Sequence, residues 1–97
     1  MKLEIKNILG SPVNMLRRAG YVFQRYEGGE MSFVRSFSAS GYPRFHIYAA
    51  LNKADMIINI HLDMKKETYG HSARHHGEYK NEDALAEEIK RLEKILK

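Results

Sequence analysis

The stretch from Arg44 to Met64 constrains this chain most. Apolar and polar residues alternate with a period of two on both sides of a polar break. In extended chain that period sends successive side chains to opposite faces. In the first arm Phe45, Ile47, Ala49 and Leu51 share one face, and His46 and Tyr48 share the other. In the second arm Ile58, Ile60, Leu62 and Met64 oppose Asn59, His61 and Asp63. If Asn52–Asp55 forms the loop, Leu51 faces Met56. Counting outward then sets His46 opposite His61, Tyr48 opposite Asn59 and Arg44 opposite Asp63. The same count sets Phe45 opposite Leu62 and Ile47 opposite Ile60. One register satisfies both faces, so the sequence predicts a hairpin with an apolar face to cover and an open face bearing two histidines.

The segments around this hairpin supply what can cover it. Residues 3–8 read as a short strand or as the lead-in to a helix. Ser11-Pro12 is a helix start, with serine at the N-cap and proline at the first helical position. Val13, Met15, Leu16 and Ala19 give that helix a partly apolar face, and Gly20 ends it. Arg17 and Arg18 fall in its last turn, where the helix dipole favours cations. Tyr21–Tyr26 and Met31–Ala39 read as strands joined by a Glu27-Gly28-Gly29-Glu30 turn. Ser40–Pro43 is a turn by composition. Residues 65–80 show no period and are expected to form a long connection. The last helix is expected from Asn81 as N-cap, with Glu82 and Asp83 in its first turn. Leu85, Ile89, Leu92 and Leu96 form its apolar stripe. Glu87–Arg91 and Glu93–Lys97 are i, i+4 pairs on its wet side. The expected fold is a single α+β domain over residues 1–97. It is a two-layer sandwich: an antiparallel meander of three to four strands, with the short first helix and the longer last helix packed on one face.

Composition narrows the chemistry. The chain lacks cysteine, which excludes disulfides, thiolate metal sites and thiol nucleophiles. No run approaches the roughly 20 apolar residues of a membrane span, and the first residues lack the pattern of a signal peptide, so a cytoplasmic protein is expected. A net charge of +4 favours polyanionic partners. The serines at 32, 36, 38 and 40 stand outside any Gly-x-Ser-x-Gly motif. Gly28-Gly29 lacks the spacing and following helix of a phosphate loop.

Three readings of the open face follow. In the first the chain is a small basic module that binds RNA, DNA or another anion with its open sheet face and the His-rich loop of residues 65–80. A four-residue Ser40–Pro43 loop sets Phe37 opposite His46 and Arg35 opposite Tyr48. Phe33, Arg35, Phe37, Arg44, Tyr48 and Asn59 then line the face, and aromatics interleaved with arginine make a stacking platform for unpaired bases. In the second, His46 and His61 are the catalytic pair of a metal-dependent or histidine-based phosphodiesterase or nuclease. Opposed residues on antiparallel strands have Cβ atoms about 4.5–5.5 Å apart, close enough for two imidazoles to share one ion such as zinc or manganese. Asp63 is the third ligand or an orienting group, and His71 or His75 folds back from the 65–80 segment to complete the set. In the third, the open face is a homodimer interface.

Overall fold

The computed structural model describes residues 1–37, 39, 41–64 and 74–97, with the side chains of 74–81 outside the description. The elements in chain order are β1 (Lys2–Ile5), α1 (Pro12–Arg18), β2 (Val22–Glu27), β3 (Glu30–Ser36), β4 (Arg44–Asn52), β5 (Asp55–Asp63) and α2 (Arg74–Leu96). The fold class is α+β. The sheet among the described residues has five strands, ordered β1-β5-β4-β3-β2 with every neighbouring pair antiparallel. Strands β2 to β5 are the expected meander.

The strand beyond the three or four expected is β1. Its alternation is too short to stand out in the sequence, and tertiary contacts define it. Leu3 and Ile5 are buried beside their partners Ile58 and Met56. The N-terminal ammonium of Met1 donates to the Ile60 carbonyl at 2.9 Å, and the Ile60 N–H returns a bond to the Met1 carbonyl at 2.8 Å. At the other end the Asp55 carboxylate accepts the Asn7 N–H at 3.0 Å.

The β4–β5 hairpin takes the register its two faces demand, with His46 opposite His61, Tyr48 opposite Asn59 and Arg44 opposite Asp63. Asn52 and Asp55 also pair, so Lys53 and Ala54 alone make the turn, with Lys53 at φ 60°. Gly28 and Gly29 turn the β2–β3 hairpin at φ 60° and 85°, the positive values that a two-residue hairpin of this kind requires of both central residues.

The β3–β4 register differs from the expected one. Val34 lies opposite His46 and Ser32 opposite Tyr48, where Phe37 and Arg35 were expected. The connection runs through residues 37–43, wider than a Ser40–Pro43 loop. It is tightened by the Phe37 N–H donating to the Pro43 carbonyl at 3.2 Å and the Ser36 hydroxyl donating to the Gly41 carbonyl at 3.2 Å. An odd slip exchanges the faces of a strand. Phe33 therefore lies fully buried on the covered face opposite Ile47, and Arg35 follows it there opposite Phe45. Burying an aromatic ring stabilises far more than exposing it on a wet face, which sets the register.

The helix α1 begins and ends as its sequence predicts. The Ser11 hydroxyl accepts the Asn14 N–H at 3.1 Å. Gly20 at φ 95° closes the helix, the Gly20 N–H bonding to the Arg17 carbonyl and the Tyr21 N–H to the Leu16 carbonyl, each at 2.9 Å. The helix α2 departs from expectation at its start. It begins at Arg74 and runs through Gly77, so Glu82 and Asp83 lie inside it and its first turn holds no acid. Glycine inside a helix costs about 1 kcal/mol against alanine, which a long helix tolerates.

The core draws residues from both helices and from the sheet. Met15, Leu16 and Ala19 of the first helical segment and Leu92 and Leu96 of α2 cluster with Phe33, Phe45, Ile47, Ala49, Ile58 and Ile60, and Leu85 and Ile89 pack at its margin. Arg91 corrects the expected pairing on α2. Its partner is Glu88, at 2.9 Å, a buried carboxylate one position beyond the Glu87 that spacing suggested. The Glu93–Lys97 pair is present at 3.8 Å. Among the described residues no helix is long and apolar enough to cross a membrane.

Candidate metal centre

Burying Phe45, Ile47, Ile58 and Ile60 on one face leaves His46, Tyr48, Asn59, His61 and Asp63 on the other. Two of these sit on β4 and three on β5, so the hydrogen-bonded ladder holds their Cα positions rigidly. His46 and His61 are neighbours with ring centroids 5.0 Å apart, and Tyr48 lies against both, at 4.5 Å from His46 and 5.8 Å from His61.

Asp63 bridges the two imidazoles. Its Oδ2 lies 3.1 Å from His46 Nδ1 and its Oδ1 lies 3.1 Å from His61 Nε2. One ligand atom from each of the three residues falls within 4.8 Å of the others. Ligands about 2.1 Å from a shared ion lie at most about 4.2 Å apart, so the span of this set is close to that of a coordination sphere. Exposure is graded across the cluster: His46 is buried, Asp63 half-buried and His61 exposed. One side of the cluster therefore faces solvent. Arg44 flanks it, with Nε 3.5 Å from Asp63 Oδ2 and the guanidinium 4.7 Å from the centre of the Tyr42 ring.

Behind His46 lies a second polar layer that the sequence did not point to. The Ser32 hydroxyl is 2.8 Å from His46 Nε2, and the Gln24 carboxamide oxygen is 3.2 Å from the same hydroxyl. Ser32 reaches His46 because β3 sits in its observed register, which places Ser32 diagonally across from His46. The available signal was the alternation of Met31 and Phe33 against Ser32, which favours Phe33 inward and Ser32 outward. Gln24 falls at the irregularity in the β2–β3 ladder between Phe23 and Arg25, and such bulges re-aim a side chain. Burial lowers the pKa of His46 below the ordinary imidazole value, against the opposing hydrogen bond and charge of Asp63, so the ring is neutral near pH 7. A pocket of about 260 Å³ adjoins the cluster through Ser32 and Tyr48 and is otherwise lined by Arg25, Glu27, Gly28 and Glu30.

The line Ser32–His46–Asp63 has the hydrogen-bond order of a serine hydrolase, but not its surroundings. Ser32 is only 3% exposed, and its strand is paired on both sides. Among the described residues its main chain therefore offers no pair of free N–H groups to hold an oxyanion. Of the imidazoles and the carboxylate, His61 is exposed and Asp63 half-buried, so the cluster is open to a ligand from their side.

Of the other residues expected at a site, Arg44, Tyr48 and Asn59 are on the open face. Phe33 and Arg35 are not. Phe37 sits past the end of β3, its ring edge-to-face against Phe45 at 4.8 Å and thus on the covered side. The expected aromatic platform is therefore not assembled. His71 lies outside the described residues. His75 lies in the first turn of α2, its side chain outside the description. Comparisons of the chain with protein-family models, curated proteins and solved structures return no significant match.

Proposed function

We propose that the protein binds a divalent metal ion, such as zinc or manganese, through His46, His61 and Asp63, and that the ion serves hydrolysis of a phosphate ester. The observation that carries this reading is the convergence of two imidazole nitrogens and a carboxylate within 4.8 Å on a rigid sheet face. Imidazole and carboxylate suit these metals, and three protein ligands with a position open to solvent is the arrangement of catalytic rather than structural ions. Such an ion brings the pKa of a bound water down to about 7 and supplies hydroxide at neutral pH. Arg44 beside Asp63 and the net charge of +4 favour an anionic substrate, for which RNA or DNA phosphodiesters are the fitting class. The two helices form one layer on the covered face in this reading, as in a two-layer sandwich, leaving the opposite face to the ligand.

Titration calorimetry of metal-stripped protein with zinc and with manganese tests the site. One equivalent is expected to bind, and His46→Ala and His61→Ala are each expected to abolish binding while leaving the circular dichroism of the fold intact. No binding of either ion by the wild type overturns the metal centre. Cleavage of short RNA and DNA by the loaded protein, absent in both variants, tests the chemistry. A loaded protein that leaves both intact overturns the phosphodiesterase assignment.

A further inference from the structure

We infer that Ser32 is a positioning residue for the metal centre, a hydroxyl relay that lets His46 exchange tautomers when the ion binds. This inference rests on the metal reading of His46, His61 and Asp63.

Each of the two buried residues in the relay has one side that must change. Without metal, Asp63 faces His46 Nδ1 at 3.1 Å, and two acceptors at that distance repel unless a proton lies between them. The neutral ring therefore carries its proton on Nδ1 and donates it to Asp63. Nε2 is then an acceptor and receives a hydrogen bond from the Ser32 hydroxyl across 2.8 Å, and in this state the Gln24 carboxamide, 3.2 Å from that oxygen, turns its NH2 group toward it as donor. With an ion on Nδ1, that nitrogen gives up its proton and the neutral ring carries its proton on Nε2. Nε2 is now a donor. It meets the same Ser32 oxygen, which can accept because the hydroxyl turns its own proton to the Gln24 carbonyl oxygen at 3.2 Å. The proton count is unchanged: one proton leaves Nδ1, one resides on Nε2, and the ring stays neutral throughout.

A hydroxyl is suited to this task because it both donates and accepts and its proton rotates freely. A carbonyl in its place serves only the loaded state, and an ammonium only the free one. The environment makes the partner matter. Ser32 is 3% exposed and His46 7%, so water does not readily replace a lost hydrogen bond at Nε2. The group that fixes the far nitrogen of a metal-bound histidine typically contributes 10–100-fold to metal affinity.

The experiment is zinc titration of wild type, Ser32→Ala and Ser32→Thr, with the His46 tautomer read from two-bond ¹⁵N–¹H correlation spectra. Wild-type His46 is expected to carry its proton on Nδ1 without zinc and on Nε2 with it. Ser32→Ala is expected to bind zinc about 10–100-fold more weakly, with its metal-free melting temperature recorded alongside. Ser32→Thr, which keeps the hydroxyl, is expected to restore affinity toward the wild-type value. A wild-type ring in the same tautomer with and without zinc overturns the relay, as does unchanged zinc affinity in Ser32→Ala. Both results leave the metal centre standing. Absence of zinc binding by the wild type overturns the metal centre and the relay together.

Discussion

The Tyr21 hydroxyl donates a 2.6 Å hydrogen bond to Glu88, joining the segment between α1 and β2 to the middle of α2. Arg91 grips both oxygens of the same carboxylate at 2.9 Å and also donates to the Ala19 carbonyl at 2.6 Å, while Arg35 reaches Glu88 from β3 at 3.4 Å. One buried carboxylate thus ties both helical segments to the sheet. Glu88→Ala leaves two arginines and a buried phenol without their partner. Removing one member of a buried, hydrogen-bonded ion pair typically costs about 3–5 kcal/mol. Urea denaturation is expected to show a loss of that order, with Glu88→Gln losing less because it can still accept from Tyr21. A loss below about 1 kcal/mol would mean that apolar packing alone seats α2.

Acid should undo the same linkage. Burial opposes ionisation of Glu88, but the hydrogen bonds from Arg91 and Tyr21 and the charge of Arg35 outweigh it and hold the pKa below the ordinary 4.5. A carboxyl with a depressed folded pKa contributes its full stabilisation above the unfolded value and loses it as pH falls through the folded one. The stability gap between wild type and Glu88→Gln is therefore expected to be constant near neutrality and to narrow below about pH 4.5. Urea denaturation of both proteins at a series of pH values checks it. A gap unchanged down to about pH 3 would place the carboxylate's contribution elsewhere.

The hairpin and the β3 register show why parts of this structure were legible and others were not. For β4 and β5 two independent patterns, apolar on one face and polar on the other, agree on a single pairing, and the turn length adds a third constraint. The positions of His46, His61, Asp63, Tyr48 and Arg44 followed from that agreement. For β3 the two signals disagree: a Ser40–Pro43 turn sets Phe33 outward, the alternation of Met31 and Phe33 against Ser32 sets it inward, and the pairing of Ser36 with Arg44 leaves a wider connection than composition suggested. The slip carried Ser32 into the site and Phe33 and Arg35 out of it. Glu88 was hidden for another reason. Its helical spacing places it beside Leu85 and Leu92, and the contacts that stabilise its charge there come from Tyr21 and Arg35, far away in sequence. Helix–dipole logic pointed to Asn81 as a start, but one turn of favourable local chemistry does not prevent a helix from beginning earlier.

The register has a simple mutational signature. Phe33 is fully buried, while Phe37 is 48% exposed. Phe33→Ala is expected to cost about 3–5 kcal/mol, as core aromatic truncations do. Phe37→Ala should cost about 1 kcal/mol or less, its edge contact with Phe45 being its main loss. Chemical denaturation of the two variants reads the difference. Equal costs, or the reverse order, would contradict the observed pairing of β3 with β4.

The β4–β5 turn offers a stabilising change. Lys53 holds φ at 60°, where a side chain costs about 1–2 kcal/mol relative to the ordinary backbone regions. Lys53→Gly removes that strain but adds freedom to the unfolded chain. A net gain of roughly 0.5–1 kcal/mol is expected, seen as a rise in melting temperature. Lys53→Val, branched at Cβ, should lower it, since such a residue tolerates positive φ poorly.

Arg44 is expected to oppose metal binding even as it favours an anionic substrate. Its Nε lies 3.5 Å from Asp63 Oδ2, so it competes with the ion for the carboxylate and places a positive charge beside an incoming cation. Removing that charge lowers the repulsion, and a neighbouring unit charge at this range changes the affinity on the order of tenfold at the high effective dielectric of a surface site. Arg44→Gln should therefore bind zinc several-fold more tightly than the wild type, and the difference should shrink with added salt, which screens the charge but not the ligand bonds. The same variant should bind or cleave phosphodiesters less well, because the positive charge beside Asp63 is gone. Calorimetry with zinc at low and moderate ionic strength, paired with an RNA-cleavage assay, separates the two effects. Weaker zinc binding in Arg44→Gln would show instead that Arg44 acts by holding Asp63 in place, and Arg44→Lys, which keeps the charge without the planar fork, would then share the loss.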